Sequence, residues 1–105
     1  MKIWVDDIRD IPSYDYVYAR SVNRAKQLIE YYEDVLQSAQ ETNDTEVINI
    51  YTIELIDIDH DAGEYVSDGG DYIKLLDWLE ETGRNYPIRN HSMNSGGVQN
   101  MRRII

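Results

Sequence analysis

The sequence predicts a small α/β domain built on an open, mainly parallel sheet of about four strands flanked by helices. Short apolar segments alternate along the chain with segments whose apolar residues recur at helical spacing. This alternation is typical of a mainly parallel sheet with right-handed crossovers. A chain of 105 residues is long enough for one core and too short for two, so we expect residues 1–105 to form a single domain.

The N-terminal segments predict two strands before the first helix. Lys2–Val5 is apolar enough for a short buried strand, and residues 6–10, three of which are aspartates, must end the burial. Residues 11–13 are typical of a turn because proline has no N–H for a ladder, and Tyr16–Ala19 is similar to a second strand. The spacing between the two strands is too short for a full crossover helix.

The middle of the chain contains the clearest helical pattern. Ser21 is a good N-cap, and apolar residues recur at helical spacing from there to Ala39. A β-branched stretch from Val47 to Ile58 then favours strand, with a break near residues 52–54. We therefore expect one long helix followed by a buried strand.

The C-terminal third predicts a second helix, a last strand and a short final helix. Leucines and an isoleucine mark a helix over residues 73–79, which Gly83 can close as a left-handed C-cap. Residues 87–92 predict a weakly apolar strand. Residues 94–97 are typical of a turn into a final helix over residues 98–105.

Composition excludes several functional classes. A net charge of −10 repels a phosphate backbone and argues against broad nucleic-acid binding, although a small phosphorylated ligand remains possible. The absence of cysteine excludes disulfides, thiolate metal sites and cysteine nucleophiles. We find no signal-peptide core and no bilayer-spanning segment, so we expect a cytoplasmic protein that does not engage a membrane. The oligomeric state stays open.

Acidic and histidine-bearing turns follow the predicted strands. In parallel sheets, ligands bind outside the carboxyl ends of the strands, and this rule gathers Asp6, Asp7 and Asp59 with both histidines at one edge. Because Mg²⁺ prefers oxygen ligands, these three aspartates are candidate ligands for Mg²⁺ or another divalent cation. The alternative is that acids cluster where strands leave the core.

Two histidines are candidates for proton transfer. His60 lies between Asp59 and Asp61, which would raise its pKa and suit it to general acid–base catalysis, with Asp61 as part of the same catalytic turn. His91 follows the last predicted strand, and together the two could activate water and protonate a leaving oxygen. The alternatives are metal ligation, a strand-capping role or simple solvation.

Four further residues are candidates for binding a phosphate. Arg9 has a planar fork suited to bidentate contact, although it could instead form a surface ion pair with a neighbouring aspartate. Ser92 and Asn94 could position the anion. Gly97, beside Gly96, could offer backbone N–H groups to it, or mark only a flexible turn.

An ordered set of motifs resembles the cyclic-phosphate-processing receiver-domain family over nearly the whole chain. The set comprises residues 2–9 (KIWVDDIR), 59–63 (DHDAG), 68–71 (DGGD), 75–79 (LLDWL), 86–88 (YPI), 91–94 (HSMN) and 97–101 (GVQNM). The resemblance implies a truncated receiver, or flavodoxin-like, architecture and an activity on cyclic phosphates. It also matches Asp6, Asp7 and Asp59 to the receiver's magnesium-binding and phosphoacceptor acids, and Ser92 to its switch hydroxyl.

The sequence departs from signalling receivers in ways that weaken the interpretation as a signalling domain. No fifth strand carries the receiver's lysine, and His60 directly follows the matched phosphoacceptor. The first hypothesis is a metal-assisted phosphoesterase that processes a small or RNA-terminal cyclic phosphate. The alternative is a non-catalytic regulatory or phosphoacceptor module; a nucleic-acid-mimicking inhibitor is suggested by charge alone. Whether Asp57 faces the site depends on strand register.

Overall fold

Four parallel strands form one open sheet in the order β2-β1-β3-β4. The computed structural model describes residues 1–7, 16–59 and 62–90. The strands are β1 (Lys2–Val5), β2 (Tyr16–Ala19), β3 (Leu55–Ile58) and β4 (Ile88–Asn90), and the helices are α1 (Val22–Thr42), α2 (Thr45–Tyr51) and α3 (Ile73–Glu81). A 3₁₀ turn, Gly63–Ser67, precedes α3. The predicted open α/β fold is confirmed.

One face of the sheet carries the hydrophobic core. Because side chains alternate along a strand, Ile3 and Val5 share this face with their register partners Ile56 and Ile58, and all four are fully buried. Residues of α1 and α3 pack in the same cluster, among them Ala25, Ile29, Leu75, Leu76 and Leu79. We call this side the helical face.

The opposite side, which we call the second face, carries a buried carboxylate. Asp57 is fully buried and lies in register between Trp4 and Arg89. It accepts hydrogen bonds from the Tyr16 hydroxyl at 3.2 Å and from Arg89 Nη2 at 2.6 Å. Register therefore makes Asp57 an interior strand residue.

The prediction of strand from Val47 onward is wrong for its first part, because Thr45–Tyr51 forms α2. Asp44 caps this helix: its side chain accepts from the Val47 N–H at 3.3 Å. Asn43 adopts a left-handed conformation with φ of 57°, which ends α1 and lets the chain turn. No residue of α2 is buried, so the pleated, half-buried surface that favours β-branched residues is missing.

Other predicted boundaries agree with the structure. The predicted interruption of the strand pattern near residues 52–54 separates the end of α2 from β3, and Leu55–Ile58 is a strand. Ser21 caps α1 by accepting from the Arg24 N–H at 3.1 Å. After α3, Gly83 has φ of 70°, as predicted for a left-handed C-cap.

Three predicted features concern residues that the structure does not describe. The turn at residues 11–13, the end of the last strand at residues 91–92 and the final helix at residues 98–105 lie outside the described residues. Within the part of the chain that the structure describes, no helix is long and apolar enough to cross a bilayer.

Candidate functional site

Three carboxylates meet at the carboxyl edge of the sheet, and we call them the acidic cluster. Asp6 and Asp7 follow β1, Asp59 follows β3, and one carboxylate oxygen from each lies within 4.8 Å of the others. Backbone hydrogen bonds extend the ladders just past the strands: the Asp59 N–H donates to Val5 at 2.7 Å and the Asp6 N–H to Ala19 at 3.3 Å. The predicted convergence of these aspartates is therefore present.

The acidic cluster has a donor set that fits a hard divalent cation. Asp6 is fully buried, whereas Asp7 and Asp59 are half-buried. Three ionised carboxylates this close repel one another unless a cation or bound protons offset the charge, and burial strengthens the repulsion. All the donors are carboxylate oxygens, which Mg²⁺ and Ca²⁺ prefer.

The turn after β3 packs tightly against Asp7. Gly63 has φ of 55°, and a methyl group added at its Cα would overlap Asp7 Oδ2. Asp7, Gly63, Glu64 and Tyr65 line a cavity of about 220 Å³ beside the acidic cluster. Position 63 thus favours glycine for its backbone conformation, and a larger residue there would have to displace the Asp7 carboxylate.

Tyr72 is a buried hydroxyl close to the acidic cluster. Its ring is fully buried, and its hydroxyl donates to the Arg20 carbonyl at 2.6 Å. Burial raises the pKa of Tyr72, and the carboxylates of Asp7, Asp6 and Asp59 raise it further. The phenol is therefore a stable neutral donor. Sequence reasoning missed it, because an aromatic residue before a helix is usually only packing.

Arg20 is a second functional candidate that sequence reasoning missed. It directly follows β2, and its Nη1 donates to the Asp6 carbonyl at 3.2 Å. The rule that selected residues after β1 and β3 would also have selected Arg20, had it been applied to β2. The structure thus brings a guanidinium to the same edge as the acidic cluster.

A larger cavity lies beside Arg20, and we call it the arginine pocket. Its volume is about 350 Å³, and it is lined by Tyr18, Ala19, Arg20, Ser21, Arg24, Tyr65 and Asp68. Asp68 links its own segment to the start of α1, because it accepts hydrogen bonds from Ser21 Oγ at 2.6 Å and from Asn23 Nδ2 at 3.2 Å. These two hydrogen bonds lower the pKa of Asp68.

The remaining predicted site residues lie outside the described residues. They are Arg9, His60, Asp61, His91, Ser92, Asn94 and Gly97. Their roles stay predictions. Asn90, the last described residue before His91, is buried and donates from Nδ2 to the Ile58 carbonyl at 2.9 Å, which ties the end of β4 to that of β3.

Comparison with known proteins identifies one family. The model of the family described as the cyclic-phosphate processing receiver domain matches residues 1–105. No curated protein and no solved structure matches the chain significantly. The match covers the strands, the acidic cluster and both histidines.

Proposed function

The chain belongs to the family of cyclic-phosphate processing receiver domains, and from that premise we propose that it is a metal-assisted phosphoesterase that opens a small or RNA-terminal cyclic phosphate. The observation that carries the proposal is the meeting of Asp6, Asp7 and Asp59 within 4.8 Å at the edge where parallel sheets bind ligands. Phosphoryl transfer depends mainly on positioning and on offsetting negative charge.

Asp6, Asp7 and Asp59 would hold the divalent cation, for which Mg²⁺ is our first candidate. When bound, the cation would polarise the phosphoryl group and offset its developing charge. Asp6 is fully buried and fixed by its backbone, so it would anchor the site. The Gly63 backbone packs against the Asp7 carboxylate.

Proton transfer falls to the two histidines. Opening the ring forms a bond from the water oxygen to phosphorus and breaks one ring P–O bond. In our proposal His60, oriented by Asp61, takes the proton of the attacking water, and His91 gives a proton to the leaving oxygen. Arg9, Ser92, Asn94 and the Gly97 N–H would orient the anion.

The test is turnover of a nucleoside 2′,3′-cyclic phosphate with and without Mg²⁺, followed by ³¹P NMR. We expect the His60→Ala, His91→Ala double variant to lose activity by about 100-fold or more. The matched control is Asp77→Asn, an exposed acid on α3. Equal turnover by wild type and the double histidine variant would remove the proposal.

A second candidate function is a non-catalytic regulatory module that accepts phosphate on Asp59. It is favoured by one observation: Asp59 is half-buried beside Asp6 and Asp7, the positions that resemble the receiver's acids. Treatment with acetyl phosphate and Mg²⁺ followed by intact mass tests it. A phosphoryl adduct in wild type that is missing in Asp59→Asn supports this function, and no adduct in either rejects it.

A further inference from the structure

The arginine pocket has the size and position of a ligand site. Its volume of about 350 Å³ lies in the range of small-molecule pockets. Tyr65 lines both this pocket and the smaller cavity that contains Asp7, so the two adjoin. Arg20 ties the pocket to the acidic cluster through its hydrogen bond to the Asp6 carbonyl at 3.2 Å.

The pocket offers positive charge in a chain whose net charge is −10. Two guanidiniums, of Arg20 and Arg24, line it together with one carboxylate, Asp68, which accepts two hydrogen bonds. Because Arg20 also donates to the backbone at the acidic cluster, Arg24 is the main positive charge that the pocket offers to a ligand. Arg24 Nη1 donates to Gln27 Oε1, a neutral group, and no carboxylate among residues 1–7, 16–59 and 62–90 forms an ion pair with it. An anion is therefore the complementary ligand.

The pocket also offers exposed aromatic surface. The side chains of Tyr18 and Tyr65 are 49% and 38% exposed. The Arg20 guanidinium lies 4.5 Å from the centre of the Tyr18 ring. Exposed aromatic rings and stacked guanidiniums are the surfaces on which nucleic-acid bases stack.

We propose that the arginine pocket binds the base and the 5′-phosphate of a nucleotide, while the cyclic phosphate of that nucleotide lies at the acidic cluster. This inference rests on the proposed function for its chemistry and narrows its substrate to a nucleotide end. The negative surface outside the pocket repels a long backbone, so recognition is confined to the terminal nucleotide or its nearest neighbour.

Binding and turnover are measured separately. Adenosine 5′-monophosphate is titrated into the protein and followed by NMR, and turnover of adenosine 2′,3′-cyclic phosphate is compared with that of glycerol 1,2-cyclic phosphate. The variants are Arg24→Gln and Tyr65→Leu. Lys74→Gln, which removes one positive charge outside the pocket, is the matched control.

We expect Arg24→Gln and Tyr65→Leu each to weaken binding of the monophosphate by about tenfold, since one stacked base or one charged contact contributes on the order of that factor. In Tyr65→Leu the preference for the adenosine over the glycerol substrate should shrink by a similar factor, mainly through KM. Arg24→Gln should leave this preference unchanged, because adenosine 2′,3′-cyclic phosphate carries no 5′-phosphate. Lys74→Gln should bind the monophosphate as wild type does.

The outcomes separate the two proposals. Monophosphate binding that is weakened by the pocket variants, with no turnover of any cyclic phosphate, supports the pocket and rejects the phosphoesterase. Turnover without a preference for the nucleotide, or binding that Lys74→Gln weakens as much as Arg24→Gln, overturns the pocket and leaves the phosphoesterase standing. No saturable binding of the monophosphate to wild type also overturns the pocket.

Discussion

Asp57 and Asp59 lie two residues apart, one inside β3 and one just past its end, yet their surroundings are opposite. Asp57 is fully buried on the second face, and Arg89 on β4 and Tyr16 on β2 donate to it at 2.6 and 3.2 Å. Asp59 lies instead in the acidic cluster, with two like charges within 4.8 Å.

The difference shows how one residue type takes two roles along one strand. Inside the ladder, neighbouring strands supply the counter-charge, so the carboxylate is part of the architecture. Beyond the strand end, the chain concentrates like charge at the edge that ligands use. Position relative to the strand end, more than residue type, separates a structural acid from a candidate ligand.

Removing the counter-charge of Asp57 should have the largest effect. Arg89→Gln removes the guanidinium that donates to the buried Asp57 carboxylate, and we expect a loss of about 2.5 kcal/mol in the free energy of unfolding, measured with urea at pH 7, because Asp57 is buried while the Arg89 side chain is 56% exposed. Adding Asp57→Asn should recover part of the loss, because the uncompensated charge is then gone. A loss below about 0.5 kcal/mol would contradict the structural role given to this pair, because removing a charged partner from a buried carboxylate normally costs more.

The packing of the acidic cluster can be tested by comparing two glycines that both adopt the left-handed backbone conformation. Gly63 and Gly83 have φ of 55° and 70°, but only at Gly63 does an added methyl group meet Asp7, and at Gly83 nothing lies within 4 Å. Alanine at Gly83 should cost about 1 kcal/mol for the left-handed conformation alone, and alanine at Gly63 about 2 kcal/mol. Equal unfolding free energies for the two variants would show that Asp7 is not held by this turn.

Glu33 is a second carboxylate whose counter-charge comes from the chain. It accepts from Arg84 Nε and Nη2 at 3.0 and 2.9 Å and from the Tyr86 hydroxyl at 2.5 Å. Burial alone would raise the pKa of Glu33, but these hydrogen bonds and the charge of Arg84 bring it below its usual value. We expect Glu33→Gln to cost about 1 kcal/mol at pH 7, because the bridge is only half-buried.

The stabilising contribution of Glu33 should decrease at low pH. Because the pKa of Glu33 is lowered by folding, its contribution is fully present above the usual value of 4.5 and is lost as the pH falls through the folded-state value. The difference between wild type and Glu33→Gln in urea unfolding should therefore shrink below about pH 4. Glu46→Gln, at an exposed acid on α2, is the control for the loss of one negative charge.

Sequence patterns predicted the parts of the molecule that local rules decide. The Ser21 cap, the Gly83 C-cap and the convergence of Asp6, Asp7 and Asp59 follow from capping preferences and from the shared edge of parallel strands. These features need no knowledge of which side chains meet across the fold.

The features that sequence reasoning missed depend on tertiary contacts. Thr45–Tyr51 is helical, Asp44 caps it, and none of its residues is buried, whereas β-propensity alone favours a strand there. The setting of Asp57 depends on register with Arg89, and the Tyr72 hydroxyl reaches the Arg20 carbonyl only once the start of α3 lies beside the end of β2. Each needed a partner more than 30 residues away or a competing local cap.

The smallest expected change in unfolding free energy is a stabilisation, caused by substitution of Asp59. Asp59→Asn removes one of three like charges, so in EDTA we expect the variant to be more stable than wild type by about 0.5 kcal/mol in urea unfolding. Excess Mg²⁺ should then stabilise wild type and leave the variant unchanged, because ligand binding to the folded state adds to its stability. Asp77→Asn, an exposed acid on α3, should respond to Mg²⁺ as wild type does. If Asp59→Asn were instead destabilised in EDTA, Asp59 would be a structural acid like Asp57, and the contrast between the position inside β3 and the position just past its end would disappear.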